Sequence, residues 1–253
     1  MFSLIFNRLA LVTCVLVLAV LTGCASTPSQ PVPRVTQIRV LQVMPIDRLY
    51  TENKGVPLGV VWQGVADRIK SNDFNQRMDA TRLALAPKFT EALLKELKSQ
   101  GFDASLMEGV NRPASAPDDI DYARLPGGAP VLHVYFSELG MFSSRFALDY
   151  LPRVNVGAAL VVPGRKDAIY EESVYYGADS RGLQSWSVPA DPRFKWPSFS
   201  ALVEKPEVVV ESYDAAVAAL ARQIAVNIKA QVGVPTESAT GDSNTLNEVI
   251  QPR

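Results

Sequence analysis

Acid–base or nucleophilic chemistry needs a titratable group held beside a nucleophile, and this 253-residue chain carries one histidine, His133, in the run VLHVYFSEL. With Ser137 nearby and Asp149 further along, it could form a serine–histidine–aspartate constellation in which the aspartate orients the ring and the ring takes the serine proton. The G-x-S-x-G turn that exposes such a serine is absent. A histidine on the polar face of a strand is the simpler reading. One histidine also rules out a multi-histidine metal centre. Asp118, Asp119 and Asp121 cluster in a proline-rich segment and offer hard oxygen ligands, but without the spaced glycine of a calcium loop they read as solvated turn residues. Glu171 and Glu172 are adjacent on an expected strand, so they face opposite ways and cannot flank a glycosidic bond together. Neither G-x-x-x-x-G-K nor G-x-G-x-x-G occurs, which leaves no phosphate-cradling loop. No cofactor is expected.

Recognition chemistry is better represented. RGLQSWSVPADPRFKWPSFSALVEKP, residues 181–206, sets Trp186, Phe194, Trp196 and Phe199 among prolines and charges with neither a helical nor a strand period. Rings outside regular elements either tuck beneath their own loop as a satellite core or form a partner surface, where aromatic residues and arginine are enriched. Tucking is the favoured reading. In the other, Arg193 and Lys195 frame a docking patch for protein or glycan.

Sulfur chemistry is confined to the amino terminus. Arg8 is followed by the apolar run Leu9–Leu21, then by Thr22, Gly23 and Cys24. A basic start, a short apolar middle and a small-residue site describe a cleaved export signal, because a spanning helix wants about 20 apolar residues. Leu21-Thr22-Gly23-Cys24 resembles the lipobox of bacterial lipoproteins. The resemblance implies cleavage before Cys24, acylation of its sulfur and of the freed amine, and, with Ala25 rather than aspartate next in the chain, sorting to the outer membrane rather than the inner one. Several acyl chains anchor firmly, since each buried methylene contributes about 0.8 kcal/mol. Cys14 would leave with the signal, so the mature domain has no disulfide and no free thiol nucleophile.

Charge excludes other partners. Twenty-five basic and 26 acidic residues give a net charge of −1, and removal of Arg8 makes it about −2. That is no footprint for nucleic acid, and no lysine run suggests headgroup binding. After Cys24, residues 25–34 read ASTPSQPVPR, an extended spacer of at most about 30 Å. Residues 234–253 are polar and are expected to be disordered. Signal (1–23), tether (24–34), one globular domain (35–233) and tail (234–253) are the expected organisation. About 200 residues suffice to bury a core without disulfides.

The elements that must position these residues follow from periodicity. VTQIRVLQVMP (35–45) reads as a strand stopped by Pro45. Residues 46–80 form a long excursion of no evident period. Leu85, Phe89, Leu93 and Leu97 fall four apart, which predicts a helix starting near Ala86, with Pro87 in its first turn and Gly101 as its left-handed stop. Phe102, Ala104 and Leu106 alternate as a second strand. Strands are also expected from Val131, around Phe146–Tyr150, from Val154 and from Ala168, the last two joined by a turn at Pro163–Lys166. Tyr213, Val217, Leu220, Ile224, Ile228 and Val232 mark one face of a closing helix that begins at Pro206 and stops at Gly233. The order describes an α+β fold: a mainly antiparallel sheet with two long helices packed on one face.

A strand ending "VMP", a helix ending "LLKELKSQGFDA", a strand, and a meander closing on a helix resemble the periplasmic α/β lipoprotein domains of the curli-secretion lipoprotein, the penicillin-binding-protein activators and the amino-terminal domain of the Tol-system propeller protein. The chain departs from that pattern in its excursion and in its aromatic loop. The resemblance implies a periplasm-facing, non-enzymatic binding or assembly module, anchored through Cys24 and acting on another envelope protein or on cell-wall glycan. The alternatives are an auxiliary lipoprotein of an envelope transporter and a periplasmic hydrolase. Oligomeric state is not legible.

Overall fold

The computed structural model describes residues 34–53, 72–143, 149–165 and 167–233. The export signal, Cys24, most of the tether and the polar tail therefore lie outside the described residues. Strand β1 (Gln37–Leu41) is followed by β2 (Tyr50–Asn53), a helical stretch over 72–77, helix α1 (Asp79–Ser99) and β3 (Asp103–Met107). A long loop with one 3-10 turn (Tyr122–Arg124) leads to β4 (Val131–Ser143), β5 (Tyr150–Val161), β6 (Tyr170–Gly177) and the short β7 (Ser187–Val188). Helices α2 (Phe199–Val203) and α3 (Pro206–Val232) complete the order.

The strands form one mixed sheet in the order β3-β1-β4-β5-β6-β7, with β2 lying against the second half of β4. The long β4–β5 and β5–β6 pairs are antiparallel, so the expected meander is present. The β3-β1-β4 side is parallel because α1 carries the chain back over the sheet between β1 and β3. The fold is α+β, with a mostly antiparallel sheet. Two short parallel strands share one long neighbour: β1 pairs with Val131 and Leu132, and β2 with Gly140–Ser143. Gly140 is needed there, since a Cβ on it would fall 1.6 Å from the Tyr50 carbonyl oxygen.

One face of the sheet carries Ile38, Val40, Leu132, Val134, Val154, Val156, Leu160 and Val174, all completely buried beneath α1 and α3. Leu85, Phe89, Leu93 and Leu97 of α1, and the whole predicted stripe of α3, close this core. Helix α1 ends in a Schellman motif: Phe102 N–H donates to Leu97 O, Gly101 N–H donates to Lys98 O, and Gly101 has φ +87°.

Three sequence expectations need correction. Helix α1 begins at Asp79, so Pro87 sits inside it rather than in the first turn. Packing of Leu85 and Phe89 at 0% exposure on either side outweighs the lost N–H. Leu106 does not continue a buried alternation, because β3 is an edge strand and leaves it exposed. The strands expected around Phe146–Tyr150 and from Val154 meet as a single β5 from Tyr150, while residues 146–148 lie outside the described residues. Pro152 is tolerated within β5 because its carbonyl accepts from Ala178, just past the end of β6. Its missing N–H thus faces a side where the ladder has already stopped.

Candidate functional site

Among the described residues no α-helix packs on the second face of the sheet. At one end the loop that follows β3 covers it, sealing a small cluster of Leu41, Met107, Leu125, Val131, Ala159 and Val161. His133 is on this face, fully buried under that loop. Its Nδ1 lies 2.8 Å from the Tyr122 hydroxyl and its Nε2 lies 3.4 Å from Asp118 Oδ1. The arrangement fits the tautomer in which Nε2–H points at the carboxylate and the phenol donates to Nδ1. Asp118 also sits 3.6 Å from Arg112, whose pKa burial lowers. Burial, then the neighbouring Tyr135, Glu171 and Asp118, hold the Tyr122 phenol above its ordinary range, the opposite of what activation as a nucleophile requires.

The candidate triad is not assembled. Ser137 is exposed beside the β4 bulge, four strand residues from a ring that is already occupied, and Asp149 pairs with Lys195 at 2.8 Å. Of the acidic cluster, Asp118 fastens the loop to His133, and Asp121 caps the 3-10 turn by accepting from Ala123 N–H at 3.1 Å. Among the described residues no group of three or more histidine, cysteine, aspartate or glutamate side chains is placed to hold a metal. Glu172 accepts from Tyr170, Asn227 and Ser185, and Glu171 is exposed near Tyr122.

The aromatic stretch divides. Phe194, Trp196 and Phe199 are buried and join the main core, Trp196 pairing with Tyr150 through both backbone groups and Phe199 packing on the rings of Phe74 and Tyr150. Arg193 is exposed; it lies over the Phe194 ring and pairs with Asp191 and with Glu211 at 2.8 Å. Lys195 is committed to Asp149. Trp186 alone of the four rings stays half-exposed. No single patch unites the six residues.

Trp186 instead belongs to a cleft of about 590 Å³ on the uncovered end of the second face, lined by Arg153, Glu172, Ser173, Tyr175, Asp179, Arg181 and Trp186. Strands β5 and β6 and the loop after β6 build it. Two hydrogen bonds fasten the loop: Tyr175 N–H donates to Trp186 O at 2.8 Å, and Arg181 N–H to Ser187 Oγ at 2.6 Å. Gly177 and Gly182 supply the two left-handed turns. The Trp186 ring meets Tyr175 edge to face at 5.7 Å and 85°. Beneath it, Arg153 Nε reaches Asp179 at 2.6 Å and Glu138 at 2.8 Å, and Asn155 Nδ2 donates to the same two carboxylates. Asn155 is 3% exposed, and its Oδ1 has no partner among the described residues.

Sequence reasoning missed most of this cleft. Arg153 comes from β5, Ser173 and Tyr175 from β6 and Asp179 from the loop after β6, Arg153 meets the others only through the β5–β6 register, and Arg181 carries no motif. Trp186 was the available signal, as a ring outside any period.

No protein-family model matches the chain, and none of the curated proteins does. Solved structures give distant likenesses. A DUF330 protein from Xanthomonas campestris matches at TM-score 0.36 and 8% identity over 79% of this chain and 87% of the other. A homologue of the neuraminyllactose-binding hemagglutinin from Helicobacter pylori matches at TM-score 0.35 and 12% identity, over 80% and 89% respectively. Lipoprotein GNA1162 from Neisseria meningitidis matches at TM-score 0.25 and 14% identity, over 58% and 88%. Scores this low establish neither fold nor activity.

Proposed function

We propose that this chain is a lipid-anchored, non-enzymatic binding module of the cell envelope, which engages another envelope component through the cleft beside Trp186. The observation that carries the reading is the state of the cleft's polar groups. Glu172, Arg153 and Asp179 are engaged by the protein itself, while no described residue hydrogen-bonds the side chains of Ser173, Tyr175, Arg181 or Trp186. A concavity whose rim keeps unspent donors beside a half-buried indole is equipped to bind. The hydrolase alternative depends on His133, and that ring is taken up by Tyr122 and Asp118.

The anchor rests on the lipobox. Among the described residues no helix is long and apolar enough to cross a membrane, and acylated Cys24 would hold the domain within a tether's length of the bilayer. Two measurements test the proposal. Labelling a bacterial host with radioactive palmitate should mark the parent and leave Cys24→Ala unmarked. A photo-crosslinking residue at Leu183, 97% exposed at the loop tip, should capture an envelope component in intact cells, whereas one at Val226, exposed on α3, should not. Equal yields from both positions would contradict the assignment of the cleft.

A further inference from the structure

The chemistry of the cleft narrows its ligand, and we infer that it takes a neutral saccharide, one sugar ring lying on the Trp186 indole with its hydroxyls on Ser173, Tyr175 and Arg181. This rests on the binding reading above and specifies its ligand class.

Size is the first argument. Phe194, Trp196 and Phe199 are withdrawn into the core, so the segment presents no broad aromatic patch. A stable protein interface buries about 800 Å² on each partner around several aromatic or arginine anchors. Of the other exposed large apolar residues, Leu183 stands at the tip of the cleft's own loop and the Tyr135 ring lies over Gly157, the strand partner of Ser173, whereas Tyr50, Leu83, Leu106 and Val226 are distributed over β2, α1, β3 and α3. What remains is a cavity of about 590 Å³, within the range of small-ligand sites.

Polarity is the second. The lining carries two cations, Arg153 and Arg181, against two anions, Glu172 and Asp179. The Arg153 charge is met by Asp179 and Glu138, so the site offers no concentrated field for a strongly charged ligand. Its unspent groups are a serine hydroxyl, a phenol, an indole N–H and one guanidinium. Hydroxyl-rich ligands pair with such groups, because each hydroxyl both donates and accepts.

The third is the ring itself. Tyr175 contacts Trp186 edge to face, and the backbone bond to Tyr175 N–H fixes where the indole stands. A half-exposed, immobilised indole offers apolar area at low entropic cost to the C–H face of a pyranose while the sugar's equatorial hydroxyls reach past it. An extended peptide would instead seek a run of open strand edge. Next to Trp186 that edge is closed, since at Tyr175 and Tyr176 β6 has β5 on one side and β7 on the other; among the described residues the stretch from Glu171 to Val174 has β5 alone.

The test is calorimetric titration of the full chain, held in a detergent without a sugar headgroup, with tetra-N-acetylchitotetraose, cellotetraose and maltotetraose. A tetra-alanine peptide serves as the non-saccharide probe. At least one tetrasaccharide should bind with an affinity indifferent to added salt. Trp186→Ala should weaken it by about tenfold or more, and Ser173→Ala, at an exposed position, several-fold with thermal unfolding unchanged. Absence of binding by all three, or binding that Trp186→Ala leaves intact, overturns the inference. If the saccharides fail while Leu183 still crosslinks selectively in cells, the ligand class is wrong and the binding module stands; if both fail, both readings fall.

Discussion

His133 and Trp186 show how differently single residues can be read. The sequence marks His133 as chemically notable because it is alone, yet its ring is spent holding a loop. Tyr122 and Asp118, which engage it, come from a segment without periodicity, so no pattern in the chain foretells the contact. Tyr122→Phe should leave a buried ring nitrogen without its donor and lower stability by about 1–3 kcal/mol, read as a shift in the urea midpoint. It should leave the cleft intact, with crosslinking from Leu183 unchanged. A midpoint equal to the parent's would mean that the hydrogen bond does not hold the loop. Trp186, by contrast, was visible as a ring in no element. Its separation from Phe194, Trp196 and Phe199 was not visible, because all four share the same local composition and only the sheet edge and α2 decide which of them are covered.

At the scale of elements, the helices were legible and the parallel half of the sheet was not. The apolar stripe of α3, from Tyr213 to Val232, and the Gly101 stop of α1 depend on local spacing and local backbone conformation, and both stand as read. Strand partners depend on contacts remote in sequence. That β1 and β2 share β4 as a neighbour has no local signature beyond Gly140, whose hydrogen side lets the Tyr50 backbone approach. Gly140→Ala should therefore unseat β2 at a cost of about 1–3 kcal/mol. Hydrogen exchange should then show faster opening at Tyr50 and Thr51 and unchanged protection at Val156 and Val174. Uniform loss of protection across the sheet would contradict this local account.

At the scale of the molecule, one sheet serves two purposes: its helix-covered face supplies the core, and among the described residues its other face is sealed by a loop at one end and open as the cleft at the other. The sealed core is also where the tyrosines are kept neutral. Burial raises Tyr213, burial together with Glu172 raises Tyr170, and burial raises Tyr176, each from an ordinary value of 10.0. The unfolded chain would lose these protons near pH 10 while the folded chain keeps them. The stabilisation is therefore full below about pH 10 and declines as pH rises beyond it. Tyrosinate absorbance from these rings should appear together with loss of helical circular dichroism; smooth titration of all eight tyrosines in a folded protein would contradict their burial.

The central claim is that an anchored, catalytically idle domain works through the open end of that face, at the Trp186 cleft. The most direct measurement is crosslinking from Leu183 in intact cells, compared between the parent and a Trp186→Ala background of equal abundance. The account predicts a discrete captured envelope component in the parent and its loss when the indole is removed. The same capture at the same yield without Trp186 would contradict it.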